Sequence, residues 1–290
     1  MKKIIFFTIL IMAKTTFAQL NPMGSSFYLN QYLANPAVVG LTPKVQINAA
    51  VKEQWVGIED RPTMQTLTIG YGFLNKKVGI GATFYHESAG VINKFNFKAT
   101  YAYHLLVNEN NKLDFGLSLG LADESINFNK VKGDLTDQSL KNFQDRSIYV
   151  DGDLGISYRN KDLTIQGAIP NLNSLLRKGT YNKVIDKSIY MVAASYKLLE
   201  NDTTKFYTLE PKIVFRKIKN YKVIVDFGIN GEFFSKKISL SAIYHTTNSV
   251  TLGLGVNVKK KMSLLAQYTT NTSQFKTYSN GEFEIGLKYN

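Results

Sequence analysis

Few residues of this chain have side chains suited to catalysis, and they are scattered. The histidines are His86, His104 and His245, and cysteine is absent. His86 and His245 fall near the outer ends of two predicted strands. A neighbouring hydroxyl such as Ser88 is not a nucleophile without an oriented base within about 3 Å. The sequence therefore favours polar rim residues, and a rim-active lipid hydrolase using His86 or His245 is the weakest alternative.

Three short patterns resemble ligand sites without completing them. Asp151-Gly152-Asp153 has the spacing of part of a Ca²⁺ loop, but no flanking ligands complete an EF-hand. Gly70-Tyr71-Gly72 and Gly253-Leu254-Gly255 are pieces of a nucleotide-binding fingerprint, yet neither is followed by a helix. We therefore expect wall residues of strands at all three places. The sequence predicts no enzyme, no metal site and no cofactor.

Residues 1–18 have the composition of a secretory signal peptide. Lys2 and Lys3 precede the apolar stretch Ile4–Ala13, and small residues allow cleavage after Ala18. The apolar stretch is shorter than the roughly 20 residues of a membrane-spanning helix. The protein is therefore predicted to be exported, and its net charge of +13 indicates anionic lipid headgroups or an acidic protein surface as partners, and no nucleic acid.

From Lys44 onward, apolar and polar residues alternate with period two, which places them on opposite faces of strands. The strand lengths match the roughly 9–11 residues that a tilted strand needs to cross a bilayer. The fourteen predicted strands are 44–52, 66–73, 78–85, 95–105, 113–121, 147–158, 163–169, 188–198, 206–217, 221–232, 237–245, 249–258, 262–270 and 281–289.

The predicted fold is all-β: a transmembrane antiparallel β-barrel of about 14 strands over residues 44–290, in the outer membrane. The face opposite the apolar stripe carries Gly, Thr, Ser, Asn, Lys and Asp, which suit a wet or plugged lumen. Every second connector is short, as the periplasmic turns of such barrels are. Because the number of strands is even, the chain begins and ends on the same side, and both termini are expected on the periplasmic side. A soluble secreted β-sandwich is the alternative, but it would leave exposed sheet edges to protect.

Residues 19–43 break the period-two pattern and are predicted to form a short periplasmic N-terminal leader. Phe27–Ala34 favours one or two helical turns, and the Asn35-Pro36 pair ends them because the residue before proline avoids the α region. The leader's aromatic residues need burial, so we expect it to pack against the lumen mouth or to plug it.

The leader and the first strand also carry a familiar signature. The stretch Tyr32–Gly40 contains an Asn-Pro-Ala motif followed by Gly, and Gln54-Trp55-Val56-Gly57 comes before a Pro-Thr pair. This order resembles the PorP/SprF family, the type IX secretion system membrane proteins of the Bacteroidetes. One departure is Val38 or Val39, where an aromatic residue often precedes the Gly. The matching motif residues are Asn35, Pro36, Ala37, Gly40, Gln54, Trp55, Gly57 and Pro62.

The resemblance implies an accessory outer-membrane component of the type IX secretion system. Such a protein supports secretion or surface attachment of cargo, adhesins among them, by binding and positioning, in gliding motility, adhesion or enzyme display. The implied partners are outer-membrane lipid, periplasmic type IX components, and a secreted cargo or adhesin with a C-terminal sorting domain. The alternative function is a passive outer-membrane channel or a transporter of small hydrophobic molecules.

Two groups of residues are candidates for contacting partners. Basic residues in the predicted periplasmic connectors suit an acidic periplasmic protein, or anionic lipid headgroups; they are Lys76, Lys77, Lys236, Lys237, Lys259, Lys260 and Lys261. Apolar residues in two predicted outer loops suit an exported protein, or packing over the barrel mouth; they are Leu135, Leu140, Phe143, Leu172, Leu175 and Leu176.

Overall fold

The computed structural model describes residues 23–74, 76–131, 148–173, 188–199, 208–218, 222–258, 261–270 and 279–290. The predicted signal peptide lies outside them. No helix in these ranges is long and apolar enough to cross a membrane, a finding that does not bear on crossing by strands. Short 3-10 helices occupy Gln31–Leu33, Pro36–Val38 and Phe128–Lys130.

The described residues contain fourteen strands of membrane-crossing type. They are β1 Val45–Glu53, β2 Thr63–Gly72, β3 Val78–Ala89, β4 Ile92–Leu106, β5 Lys112–Ile126, β6 Tyr149–Arg159, β7 Leu163–Ile169, β8 Ser188–Tyr196, β9 Thr208–Ile218, β10 Val223–Phe233, β11 Ile238–His245, β12 Ser249–Val258, β13 Met262–Thr269 and β14 Glu282–Tyr289. Leu198–Leu199 continues β8 for two residues and pairs with the start of β9.

These strands form one closed antiparallel sheet. Each strand pairs with its neighbours in the chain, and β1 pairs with β14 so that no edge remains. The closing register places Val51 opposite Ile285 and Ile47 opposite Tyr289. The predicted antiparallel barrel is confirmed, and the β-sandwich alternative is wrong because the sheet closes on itself.

The barrel has an apolar exterior and a polar interior. Leu119 and Ile285 point outward and are 54% and 61% exposed, whereas the inward-pointing Thr68 and Asp114 are both fully buried. An apolar outer wall around buried polar side chains is the reverse of a water-soluble protein and is the pattern of a membrane barrel.

The two ends of the barrel differ. We call the end that carries connectors 73–77, 107–111 and 234–237 the turn mouth, and the opposite end, at connectors 54–62 and 270–281, the loop mouth. At the loop mouth β3, β4 and β5 run beyond their predicted ends. Their outward residues there, such as His86 and Asp123, are polar, so the alternation that predicted the strands is lost while the pairing continues.

Candidate functional site

The described part of the leader, residues 23–43, runs through the lumen and contacts the inner wall of the barrel. Asn35 is fully buried: its side chain accepts a hydrogen bond from the Ala37 amide at 3.0 Å and donates one to the Ile156 carbonyl at 3.2 Å. Pro36 occupies the first position of the 3-10 helix that Asn35 caps. The Asn-Pro-Ala motif is therefore a capped turn that fixes the leader to the wall of the barrel.

Glycines hollow the inner wall where the leader passes. A Cβ on Gly116 would overlap the backbone of Pro36 and Ala37. A Cβ on Gly79 would overlap the carbonyl of Val39. Gly70 and Gly72, predicted to be lumen-facing strand glycines, also pack against the leader. Gly72, Gly79 and Gly116 lie where the backbone of the wall and that of the leader approach each other closely, whereas Gly70 makes room for the Val39 side chain.

The leader turns into β1 at Gly40. This residue has a φ of +71°, which favours glycine, and a Cβ there would overlap the Tyr71 carbonyl and Gly79. The motif glycine is thus required by both its conformation and its packing.

An apolar cluster holds the other end of the leader. Phe27 is fully buried against inward residues of β7, β8, β9 and β11, which are Ala168, Met191, Ala193, Val214 and Ile243. The Lys212 ammonium donates to the Phe27 carbonyl at 2.6 Å and lies 5.1 Å from the Phe27 ring centroid. Burial of an aromatic ring and a charge-assisted hydrogen bond therefore anchor the same residue.

Polar contacts connect the leader to the wall between these anchors. The Ser25 amide donates to Glu284 at 2.9 Å, Asn30 Oδ1 accepts from Thr68 at 3.2 Å, and the Tyr32 hydroxyl donates to Thr100 at 2.7 Å.

Two buried Asp-Arg-His clusters lie in the wall at opposite mouths. Near the turn mouth, Asp114 accepts from Arg159 Nε at 2.6 Å, and His104 Nδ1 lies 2.8 Å from its other oxygen. His104 Nε2 lies 3.0 Å from the Val39 carbonyl. Because both partners of His104 are acceptors, both hydrogen bonds form only when both ring nitrogens carry protons. This cluster joins β4, β5 and β6 to the leader.

The second cluster lies near the loop mouth. Asp226 accepts from Arg216 Nε at 2.6 Å, and His245 Nδ1 lies 2.7 Å from Asp226. His245 is fully buried, so the prediction of a polar rim residue is wrong for it; β11 ends there, but the side chain points inward. The sequence analysis did not predict either cluster. The signal that could have indicated them is a charged residue at an inward position near the end of a strand, as Asp114 and Asp226 are.

The second cluster has the distances of a hydrolase triad. The Thr251 hydroxyl lies 2.8 Å from His245 Nε2, and the histidine contacts Asp226. However, neither Thr251 nor His245 has exposed surface, and Thr251 also hydrogen-bonds to Thr269 at 2.7 Å. Asp226 is instead explained as the carboxylate that neutralises the buried Arg216, and His245 and Thr251 complete its hydrogen bonds. No metal-binding group of three His, Asp or Glu side chains occurs in the described ranges.

The remaining motif residues lie at the loop mouth. The backbone amide of Gln54 donates to the Pro62 carbonyl at 2.9 Å, and this hydrogen bond closes connector 54–62. Trp55 and Gly57 have φ values of 54° and 101°, which make this connector sharply turned. Val56 exchanges backbone hydrogen bonds with residues 280 and 281. The motif therefore has two halves, one inside the lumen and one that organises the loop mouth.

The predicted basic residues fall at the turn mouth where they are described. Lys76, Lys77, Lys236, Lys237 and Lys261 are exposed, whereas Lys259 and Lys260 lie outside the described residues. The turn 234–237 is unusual because Phe234, Ser235 and Lys236 all have positive φ. It presents Phe234, 71% exposed, beside the two lysines. Its Lys236 pairs with Glu232 at 3.3 Å.

Most of the predicted loop residues are not described. Leu135, Leu140, Phe143, Leu175 and Leu176 lie outside the described ranges, and Leu172 begins its loop half-buried against Gly152. Asp153 accepts from the Asn171 amide at 2.9 Å and from Lys98 at 2.6 Å, and Asp151 accepts from the Asn173 amide at 3.0 Å. The two aspartates are therefore wall residues, as expected, that also hold the start of this loop.

A closed barrel with an apolar exterior, a polar interior and a leader that runs through its lumen defines an outer-membrane β-barrel protein. The family model for the type IX secretion system membrane protein PorP/SprF matches residues 16–289, and the chain belongs to this family. The family resemblance seen in the motifs is confirmed, as is the outer membrane as the location. No individual curated protein matches the chain significantly.

Solved outer-membrane barrels share the fold. The Ralstonia pickettii toluene transporter TbuX is 12% identical, with a TM-score of 0.52 and coverage of 90% of this chain and 92% of that one. The Acinetobacter baumannii protein Omp33 is 7% identical, with a TM-score of 0.50 and coverage of 86% and 99%. The CymD monoaromatic hydrocarbon channel is 8% identical, with a TM-score of 0.50 and coverage of 94% of each chain. At these identities the likeness concerns the fold alone.

Proposed function

We propose that this protein is an accessory component of type IX secretion that binds and positions cargo, such as an adhesin, at the outer membrane. The observation that carries the proposal is the occupied lumen. The leader contacts strands on several sides of the barrel, through Ser25 at β14, Tyr32 at β4, Asn35 at β6 and Phe27 at β7 to β11. A barrel filled by its own chain suits a scaffold better than a passage for solutes.

The exposed lysines of the turn mouth support a periplasmic partner with an acidic surface. The described lysines there are Lys44, Lys76, Lys77, Lys161, Lys197, Lys236, Lys237 and Lys261, and the described acidic residues in the connectors between them are Glu109 and Asp162. Glu200 and Asp202 of connector 197–207 lie outside the described residues. An excess of one sign of charge raises the encounter rate with a complementary partner and sets its orientation. Anionic headgroups of the inner leaflet would use the same charge.

Recovery of partners from native membranes tests the proposal. The tagged protein is expected to retain periplasmic type IX components or one large adhesin. A variant with Lys76, Lys77, Lys236, Lys237 and Lys261 all changed to Gln should lose most of the periplasmic partner. A control that changes the exposed lysines Lys130 and Lys222 at the loop mouth to Gln should retain it, as should the variant with only Lys236 and Lys237 changed if the loss needs the whole turn-mouth charge. Recovery of neither component nor adhesin by the unaltered protein contradicts the assignment.

The second function, a passive channel or a transporter of small hydrophobic molecules, has support from the fold shared with TbuX and CymD. Conductance in planar bilayers separates the two functions. The accessory role predicts no stable current, because the leader occupies the path. An open, stable ohmic pore formed by the unaltered protein would favour the channel.

A further inference from the structure

The direction in which the leader runs through the lumen can be read along single strands. On β2 the contacts change in one order from the loop mouth to the turn mouth. Met64 lines the same small cavity as Met23, then Thr68 bonds Asn30, and then Gly72 packs against Gly40. The first described residue of the leader is thus beside the start of β2, and Gly40 is beside its end.

Two other strands give the same direction. On β14, which begins at the loop mouth, Glu284 accepts from Ser25 and the next inward residue, Gly286, packs against Leu29. On β3, which ends at the loop mouth, Tyr85 lines the cavity beside Met23, whereas Gly79 near the turn mouth packs against Val39.

The lengths of the connectors identify the outer side. The longest connectors, 127–148 and 170–187, lie at the loop mouth, although tight turns at 90–91 and 246–248 lie there as well. The described turn-mouth connectors are short, among them 107–111 and 160–162. Outer-membrane barrels have short periplasmic turns and longer outer loops. The loop mouth therefore faces the outside of the cell.

We infer that the leader runs from the outer mouth to the periplasmic mouth, so that its Met23 end lies at the mouth that faces the cell surface and its Gly40 end lies at the periplasmic mouth. This differs from the expectation that the leader belongs to the periplasmic side. The leader meets β1 at the periplasmic mouth, but its other end lies beside Lys52, one residue from the end of β1.

This placement makes the leader a link between the two mouths. The Met23 end of the leader lies level with connector 54–62, beside Lys52 and Met64. The Gly40 end lies among the tight turns, where His104 bonds the Val39 carbonyl. The inference rests on the threading and the barrel orientation, and it holds whether or not the proposed function does.

Labelling of single cysteines on living cells tests the inference, because the chain has no cysteine of its own. A flexible Gly/Ser spacer bearing one Cys is inserted directly before Met23 in the full chain. Glu59→Cys, exposed in connector 54–62, is the outer control, and Lys161→Cys, exposed in the turn 160–162, is the periplasmic control. A membrane-impermeant maleimide is applied to intact cells and then to cells with a permeabilised outer membrane.

The inserted Cys is expected to react on intact cells at a level near that of Glu59→Cys and roughly tenfold above Lys161→Cys, because labelling follows thiol exposure. Labelling that appears only after permeabilisation overturns the inference. Labelling in neither state, for a protein that denaturation shows to carry the thiol, places the segment inside the lumen and overturns it too. None of these outcomes depends on recovery of secretion partners, so a failed pull-down is a separate result.

Discussion

Single residues hold the leader where its backbone meets that of the wall. Gly116→Ala introduces a Cβ that overlaps the backbone of Pro36 and Ala37. We expect it to displace the Asn-Pro-Ala turn and to lower the free energy of unfolding by about 1–3 kcal/mol, as overpacking does. Urea unfolding in detergent micelles measures this change.

Gly167→Ala is the matched control for that substitution. Gly167 lies in β7, points outward, and has Ile156 as the one neighbour near its added Cβ. We expect a change within about 0.5 kcal/mol, as for other surface positions. Equal losses of unfolding free energy in Gly116→Ala and Gly167→Ala would show that the strands are sensitive to any added methyl group. Contact between Gly116 and the leader would then not be the cause.

The Asp-Arg-His clusters also act at the scale of single residues, and their burial determines how much they contribute to the free energy of unfolding. Asp226→Ala leaves the nearly buried Arg216 without its carboxylate. Breaking a buried pair on one side typically costs about 3–5 kcal/mol. Glu53→Ala breaks the pair with Arg61, in which both side chains are 39% exposed, and should cost at most about 1 kcal/mol. The two midpoints of urea unfolding give the comparison, and equal shifts would contradict the importance of burial.

At the scale of elements, the strands were predictable because lipid on one side and polar contents on the other impose period two. The predicted strand ends were wrong beyond the lipid, at the loop-mouth ends of β3, β4 and β5. Outward residues there, such as Ser88 and Asp123, are polar, so the alternation stops before the strand does. The path of the leader was not predictable, because it is set by glycines from distant strands. Gly79 and Gly116 look alike in sequence, and only the fold shows that the same turn needs both.

The leader as an element is expected to control permeability. Deletion of residues 23–41 removes Phe27 from its cluster and uncovers buried polar side chains such as Thr68 and Thr100. In planar bilayers we expect conductance steps where the unaltered protein gives none. Phe27→Ala is the milder variant: it should loosen the leader at a cost of about 3–5 kcal/mol and give brief, flickering openings. A silent deletion variant that is folded by its heat-modified migration would show that other parts of the chain close the lumen.

At the scale of the whole molecule, the apolar exterior implies that lipid is the solvent of the wall. Leu119→Arg makes the distinction, because Leu119 is already 54% exposed. In water such a substitution is nearly neutral, whereas at the middle of a bilayer it costs about 2–4 kcal/mol. Leu74→Arg, in the turn 73–77 and 83% exposed, is the control and should cost about 0–1 kcal/mol, as near the interface. In urea unfolding from lipid vesicles, Leu119→Arg should therefore be less stable than Leu74→Arg, although Leu74 is the more exposed of the two leucines. Equal stabilities would mean that β5 does not face lipid, which would remove the basis for the membrane barrel.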